Sequence, residues 1–204
     1  MKKRKLLFLM SALICLSVVG KAQVIKIENG IAISDLVIKN SSNDWIYPYQ
    51  LSLGLDYMDR DWYALSSQIG FLRKGTDGII NSPVEYGGVG TEHQLQLDYL
   101  TMNTTFRVKT PLVNNFWVYA GCGPRIDIFL KGRMKPKVPD FEVKGMHKLI
   151  AGLKVEAGFY GQFDRMQVGL NFGYLPSFVR PYGGKNNNIK DKTFTLGLVL
   201  GYVL

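Results

Sequence analysis

The chain has 204 residues, of which 47% are hydrophobic and 12% aromatic, with 22 glycines and a formal net charge of +9. That balance excludes a disordered or collagen-like chain, and the length sets one domain as the expectation. Two cysteines, Cys15 and Cys122, are too few for a disulfide scaffold.

The first stretch reads as an export signal. Lys2, Lys3, Arg4 and Lys5 precede an apolar run from Leu6 to Val19, and Gly20-Lys21-Ala22 before Gln23 has the small-x-small form of a cleavage site. The run is short of the roughly 20 apolar residues of a membrane-spanning helix. A lipoprotein leader fits less well, because Ala12-Leu13-Ile14 lacks a small residue next to Cys15. The expectation is a cleaved signal peptide over 1–22 and a single domain over 23–204. Removing a leader with five of the 25 basic residues leaves 20 against 16 acidic, about +4, which takes most of the support from a nucleic-acid-binding reading. Only Cys122 then remains, so the fold must hold without an internal disulfide.

From Val24 on, apolar residues recur at every second position, the period of a strand. Segment one, Val24 to Ile38, carries Ile25, Ile27, Ile31 and Ile33, with Gly30 suggesting a bulge. Segment two, Tyr47 to Met58, sets Tyr49, Leu51, Leu53 and Leu55 against Gln50, Ser52, Gly54 and Asp56. After the turn Asp59 to Asp61, segment three runs from Trp62 to Arg73, with Ile69 and Phe71 opposite Gln68 and Gly70. Lys74 to Glu92 has the glycine content of a long loop. Segment four, His93 to Lys109, changes phase near Tyr99: Leu95, Leu97 and Tyr99 share one face, Leu100, Met102, Phe106 and Val108 the other. A bulge, or a portion that leaves the apolar band, is expected there. Segment five, Phe116 to Leu130, opposes Val118, Cys122, Ile126 and Ile128 to Trp117, Tyr119, Arg125 and Asp127. A basic connection, Lys131 to Met146, precedes segment six, His147 to Tyr160, where Lys154 and Glu156 oppose Leu153 and Val155. Segment seven, Arg165 to Leu175, and segment eight, Lys192 to Leu204, end the series after the loop Pro176 to Asp191. In segment eight Phe194, Leu196, Leu198, Leu200 and Tyr202 form one uninterrupted apolar face.

Two regularities choose between a protein core and lipid for that face. Connections alternate short and long, as in transmembrane barrels with tight periplasmic turns and long outer loops. The face opposite the aliphatics carries Asp56, Gln68, Arg125, Asp127, Lys154, Glu156 and Asn171, which suits a lumen rather than water. The segments reach or exceed the roughly 9–11 residues a tilted strand needs to cross a bilayer. Closure is required because backbone groups in hydrocarbon have no water to bond. The fold class expected is all-β, an eight-stranded antiparallel up-and-down transmembrane β-barrel. Eight strands leave an interior filled by side chains, so a closed lumen is expected, with Arg125, Asp127, Lys154 and Glu156 as a charge network inside it. Aromatics at strand ends, among them Tyr57, Trp62, Tyr99, Trp117, Tyr160 and Tyr174, are expected in interfacial girdles.

Tyr99-Leu100 with Thr101 to Arg107, then Trp117-Val118-Tyr119-Ala120-Gly121-Cys122-Gly123-Pro124, resembles the PorT-like outer-membrane β-barrel family of Bacteroidota. The resemblance covers nearly the whole mature chain. It departs at Asn103, where the family often has proline, at segment one, and at Leu204, where an aromatic often ends the strand read by barrel-assembly machinery. The resemblance implies an outer-membrane barrel and little about activity, one branch taking part in type IX secretion.

Candidate sites are few. His93 and His147 follow long loops, near Glu92, Asp77, Glu85 and Ser82, but no spacing marks a nucleophile or a metal set. The expectation is no enzyme, no cofactor and no metal. Lys131, Arg133, Lys135, Lys137, Arg180 and Lys185 place positive charge on the outer loops. There they would face lipopolysaccharide phosphates, an attraction of about 1 kcal/mol per residue near an anionic surface; ordinary solvated loop charge is the competing reading. The partners expected are outer-membrane lipid and lipopolysaccharide, barrel-assembly machinery during insertion, and an envelope protein complex, in a structural or adaptor role. A rim-active lipid-modifying enzyme and a soluble lipocalin-like carrier stand as alternatives.

Overall fold

The computed structural model describes residues 22–37, 42–80, 91–135, 147–179 and 190–204; the leader expected over 1–22 therefore lies almost entirely outside the described residues. Nine strands are seen among them: β1 (Ala22–Val37), β2 (Ser42–Asp44), β3 (Tyr49–Tyr57), β4 (Tyr63–Ile80), β5 (Thr91–Val113), β6 (Phe116–Lys135), β7 (Leu149–Phe163), β8 (Met166–Tyr174) and β9 (Lys190–Val203). Eight of them pair antiparallel with their sequence neighbours, and β1 pairs with β9 from Val24↔Val203 to Val37↔Lys190, which closes the barrel. The short β2 is an addition to β4 above the end of β3.

Burial follows the strand period with the sign of a membrane protein. Ile27, Leu53, Ile69, Phe172 and Leu198 are exposed, whereas Glu28, Gln68, Lys154, Glu156 and Asn171 are buried. An outside apolar belt around a polar inside is stable only where the outside solvent is hydrocarbon. Leu198, opposite Asn29 and Leu170, lies midway along its strand pairings. Replacing it with arginine is expected to cost about 2–4 kcal/mol, as for a cation at the midplane, read from the urea midpoint in lipid vesicles.

One end of the barrel has tight turns, each with a residue in the left-handed region: Met58 (φ 53°), Asn114 (φ 39°) and Asp164 (φ 53°). Asn and Asp adopt that conformation at low cost. At the other end β4, β5 and β6 continue far beyond a bilayer's thickness, β5 reaching 23 residues. Lys74 to Ile80 and Lys131 to Lys135, expected in loops, are strand. Gly30 is no bulge; it sits in unbroken register opposite Gly197 and Gln50, and a Cβ there would collide with the backbone of Leu196.

Segment four keeps a single backbone alternation, with the two faces as expected and the expected irregularity at Tyr99. Leu95, Leu97, Tyr99, Thr101, Asn103, Thr105 and Arg107 all point inward, and Met102, Phe106 and Val108 outward. The β5–β6 register does shift between Asp98 and Tyr99, and the extra residue is Leu130 on β6. Above that level the inner face is apolar: Leu36, Leu95, Leu97, Tyr99 and Ile150 form a small core with Phe129 and Val179 against it. Tyr99 therefore belongs to this core and not to a girdle. Tyr160 likewise faces the lumen, its ring 6.2 Å from that of Tyr119, and Trp117 lies under the Lys109 ammonium at the short-turn mouth.

Candidate functional site

The lumen is filled by two ion clusters. In the one nearer the short turns, Glu156 on β7 accepts from Arg107 Nε at 2.6 Å, Thr105 Oγ1 at 2.6 Å and Asn171 Nδ2 at 3.2 Å, and faces Lys154 Nζ at 2.9 Å. Lys26 of β1 donates to Asp56 at 2.5 Å and to Ser66 at 2.7 Å. Glu28 accepts from Gln68 and Asn171, each at 3.0 Å, with Lys154 at 3.8 Å. The Arg107 guanidinium also lies over the Tyr119 ring at 4.5 Å, and Tyr119 donates to Asn171. Three cations, Lys26, Arg107 and Lys154, thus meet three anions, Glu28, Asp56 and Glu156. Charges this deeply buried persist only when paired and hydrogen-bonded.

The second cluster lies toward the long-loop end. Lys74 of β4 donates to Asp127 at 2.9 Å and to Asp191 at 2.8 Å. Arg125 donates to Ser177, which in turn donates to Asp191, and Thr193 caps the other Asp191 oxygen. Arg125 Nε and Asp127 Oδ1 lie 3.3 Å apart, close enough to attract but not aligned to hydrogen-bond. Two cations again balance two anions. The small core of Leu95, Leu97 and Tyr99 sits on this cluster, with the Lys74 ammonium 5.5 Å from the Tyr99 ring.

Inward glycines make room for these side chains. A Cβ on Gly197 would strike Glu28 Cγ at 2.7 Å, and one on Gly54 would strike Lys26 Cε and Gln68 Cγ at 2.9 Å. Between the clusters a void of about 20 Å³ is lined by Gln68, Asn103, Arg125, Lys154 and Thr195, enough for about one water. Two further voids of about 20 Å³ flank Arg107 and Tyr119. A much larger depression of about 600 Å³ is not in the lumen. Ile25, Leu53, Ile69, Met102 and Ile126 rim it, over the hydroxyls of Ser67 and Thr104, 2.8 Å apart. All of these point outward, so it is a dent in the lipid-facing wall.

Of the four residues singled out in sequence for the lumen, the structure puts Lys154 and Glu156 in one cluster and Arg125 and Asp127 in the other. It adds Lys26, Glu28, Lys74, Arg107 and Asp191, and Asp56, which the alternation had already put on the lumen face. Lys26 and Glu28 were legible, since they alternate with Ile25 and Ile27; Lys74 and Asp191 were hidden in stretches read as loops. Of the basic set, Lys131 and Arg133 stand exposed on β6, Lys135 ends that strand, and Lys137, Arg180 and Lys185 lie outside the described residues. His147 is exposed ahead of β7, and Ser82 and Glu85 lie outside the described residues. Among the described residues no group of three or more His, Cys, Asp or Glu side chains is gathered to hold a metal.

A closed, all-antiparallel barrel of eight strands, greasy outside and ion-paired inside, has the fold of the eight-stranded outer-membrane β-barrels. No family model matches the chain, and no curated protein matches it in sequence. Among solved structures it is similar to the outer membrane protein AlkL in lipid bilayers, with TM-score 0.53 and 14% identity over 90% of each chain. The N-terminal β-barrel domain of Pseudomonas aeruginosa OprF aligns with TM-score 0.48 and 11% identity over 90% of this chain and 98% of that one. Neisserial surface protein A does so with TM-score 0.48 and 11% identity over 88% and 97%. The shared fold rests on the first; the other two add no weight at that TM-score.

Proposed function

We propose that this chain is an integral outer-membrane protein, exported on a leader cleaved after residue 22, whose lumen is closed to solutes and whose role in the envelope is structural or adaptor rather than catalytic. The observation that carries the proposal is the neutral pairing of the lumen. Lys26, Arg107 and Lys154 are matched by Glu28, Asp56 and Glu156, and Lys74 and Arg125 by Asp127 and Asp191. Charges engaged with each other are poor ligands for a passing ion, and the voids beside them are about one water in size. A barrel of this kind works through its rim and its outer wall. Its partners are then the outer-leaflet lipid, lipopolysaccharide included, the machinery that inserts it, and an envelope complex. The PorT-like resemblance of Tyr99 to Arg107 and Trp117 to Pro124 makes the secretion apparatus the first complex to search.

The test has two readouts. The outer-membrane fraction should contain a form that migrates faster on a detergent gel unheated than boiled. The same protein in planar bilayers should give a flat baseline. Steady single-channel conductance would overturn the closed lumen, and a detergent-free soluble form of the mature protein would overturn membrane insertion.

A further inference from the structure

We propose that Arg73 and Arg133, held together by Asp98, form with the neighbouring Lys131 a binding site for a phosphate group of lipopolysaccharide on the outer wall of the barrel. This rests on the outer-membrane reading above and names the place where the lipid is held. Asp98 of β5 is almost fully buried, yet it lies on the outward face of its strand, with a guanidinium on either side. Arg73 of β4 donates through Nε at 2.6 Å and Nη2 at 3.2 Å, and Arg133 Nη2 of β6 lies 3.2 Å from Asp98 Oδ2. Lys131 is the register partner of Asp98 on β6 and is exposed. Two guanidiniums thus pair with one carboxylate, and with the Lys131 ammonium on the adjacent strand the three strands carry an excess of two positive charges here.

The height of the cluster decides what it meets. Ten residues separate Tyr63 at the short-turn end from Arg73; at about 3.3 Å per residue and a tilt of 40–45° this is a rise of roughly 23–25 Å. That is about the height of the apolar band of such barrels, roughly 25 Å. Directly below Arg73 and Asp98 on the same face lie Phe71 and Leu100, and Arg73 folds over the Phe71 ring at 5.5 Å. The excess charge is therefore level with the headgroups of the outer leaflet, where lipopolysaccharide carries its phosphates. Fixing two guanidiniums on a buried carboxylate removes much of the side-chain freedom that binding would otherwise cost. Among the described residues Arg73 Nη1 and Arg133 Nε and Nη1 have no acceptor, which leaves them for the fork geometry that suits phosphate.

The full-length barrel in detergent is titrated with purified lipopolysaccharide, dephosphorylated lipopolysaccharide, and phosphatidylglycerol. The variants are Lys131→Gln/Arg133→Gln, which leaves the Arg73–Asp98 pair intact, and the triple variant that adds Arg73→Gln. The control is Arg165→Gln/Lys192→Gln, which removes the same charge at the short-turn end and on β9, across the barrel from β5. We expect the first variant to bind lipopolysaccharide at least tenfold more weakly, the triple variant more weakly still, and the control as wild type. Dephosphorylation should lower wild-type affinity to the level of the variants, and phosphatidylglycerol should bind wild type more weakly than lipopolysaccharide. An unchanged Kd in the folded double variant, an equal loss in the control, insensitivity to dephosphorylation, or equal affinity for phosphatidylglycerol would overturn the site. Heat-modifiable migration of each variant keeps the two readings apart: its loss in wild type would count against the barrel itself, whereas its retention with unchanged binding counts only against this site.

Discussion

Replacing Glu156 with leucine is expected to destabilise the barrel by about 3–5 kcal/mol, the cost of removing one partner from a buried ion pair. Glu156 is 2% exposed and is the acceptor on which Arg107, Thr105 and Asn171 converge, with Lys154 beside it. Leucine is similar in volume, so the loss is electrostatic rather than a cavity. Afterwards Arg107 keeps only Asp56, at 3.7 Å, and Lys154 only Glu28, at 3.8 Å, as charged partners. A neutral set of three and three becomes a buried excess of one positive charge. Glu156→Gln separates charge from shape, since its carbonyl keeps one of the two acceptor positions, that of Thr105 and Arg107 or that of Asn171, and should cost less. The measurement is the temperature at which the fast-migrating band converts to the slow one, together with the urea midpoint. An unchanged conversion temperature would mean that the ion cluster fills the lumen without holding the wall.

Alternation in β3, β7 and β9 was enough to assign inside and outside, because along those strands the outer face meets one solvent, hydrocarbon, throughout. In β5 the two faces and the irregularity near Tyr99 were legible, but not which face stays inside. Its inward row runs without a break from Leu95 to Arg107, but its chemistry inverts along the way, apolar above Thr101 and polar below. Where the strand rises beyond the bilayer its outside meets headgroups and water, and its inside becomes a small core of the soluble kind. A single rule of apolar-outward then reads a change of solvent as a change of phase. Lys74 and Asp191 were missed for a related reason: glycine-rich flanks made strand extensions look like loops. The Asp98 cluster could not be read at all, because it needs the register of three strands and a bulge at Leu130 to bring Arg73, Lys131 and Arg133 together.

Deleting Gly201 to Leu204 is expected to prevent stable insertion altogether. The segment pairs on both sides: Gly201, Tyr202 and Val203 with Lys26, Ile25 and Val24 of β1, and Gly201 and Tyr202 with Gln167 and Met166 of β8. Backbone bonds from Leu204 N to Gln23 O and from Val203 N to Arg165 O extend the seam to the short-turn rim. Without it, the start of β1 and the start of β8 face each other across a gap one strand wide. Adjacent strands lie about 4.8 Å apart, so the gap is near 10 Å, too wide for β1 and β8 to bond directly. Each N–H and C=O left in hydrocarbon costs several kcal/mol, so a handful of them exceeds the 5–15 kcal/mol of a typical fold. The opening also lies beside the ion cluster: Lys26, opposite Gly201, would be exposed to lipid with its partner Asp56 on the next strand. The expected result is no heat-modifiable form and no accumulation in the outer-membrane fraction. Leu204→Ala should insert normally, since Leu204 contributes one backbone bond at the rim. Normal insertion of the truncated chain would mean that β1 and β9 do not form the seam that closes the barrel.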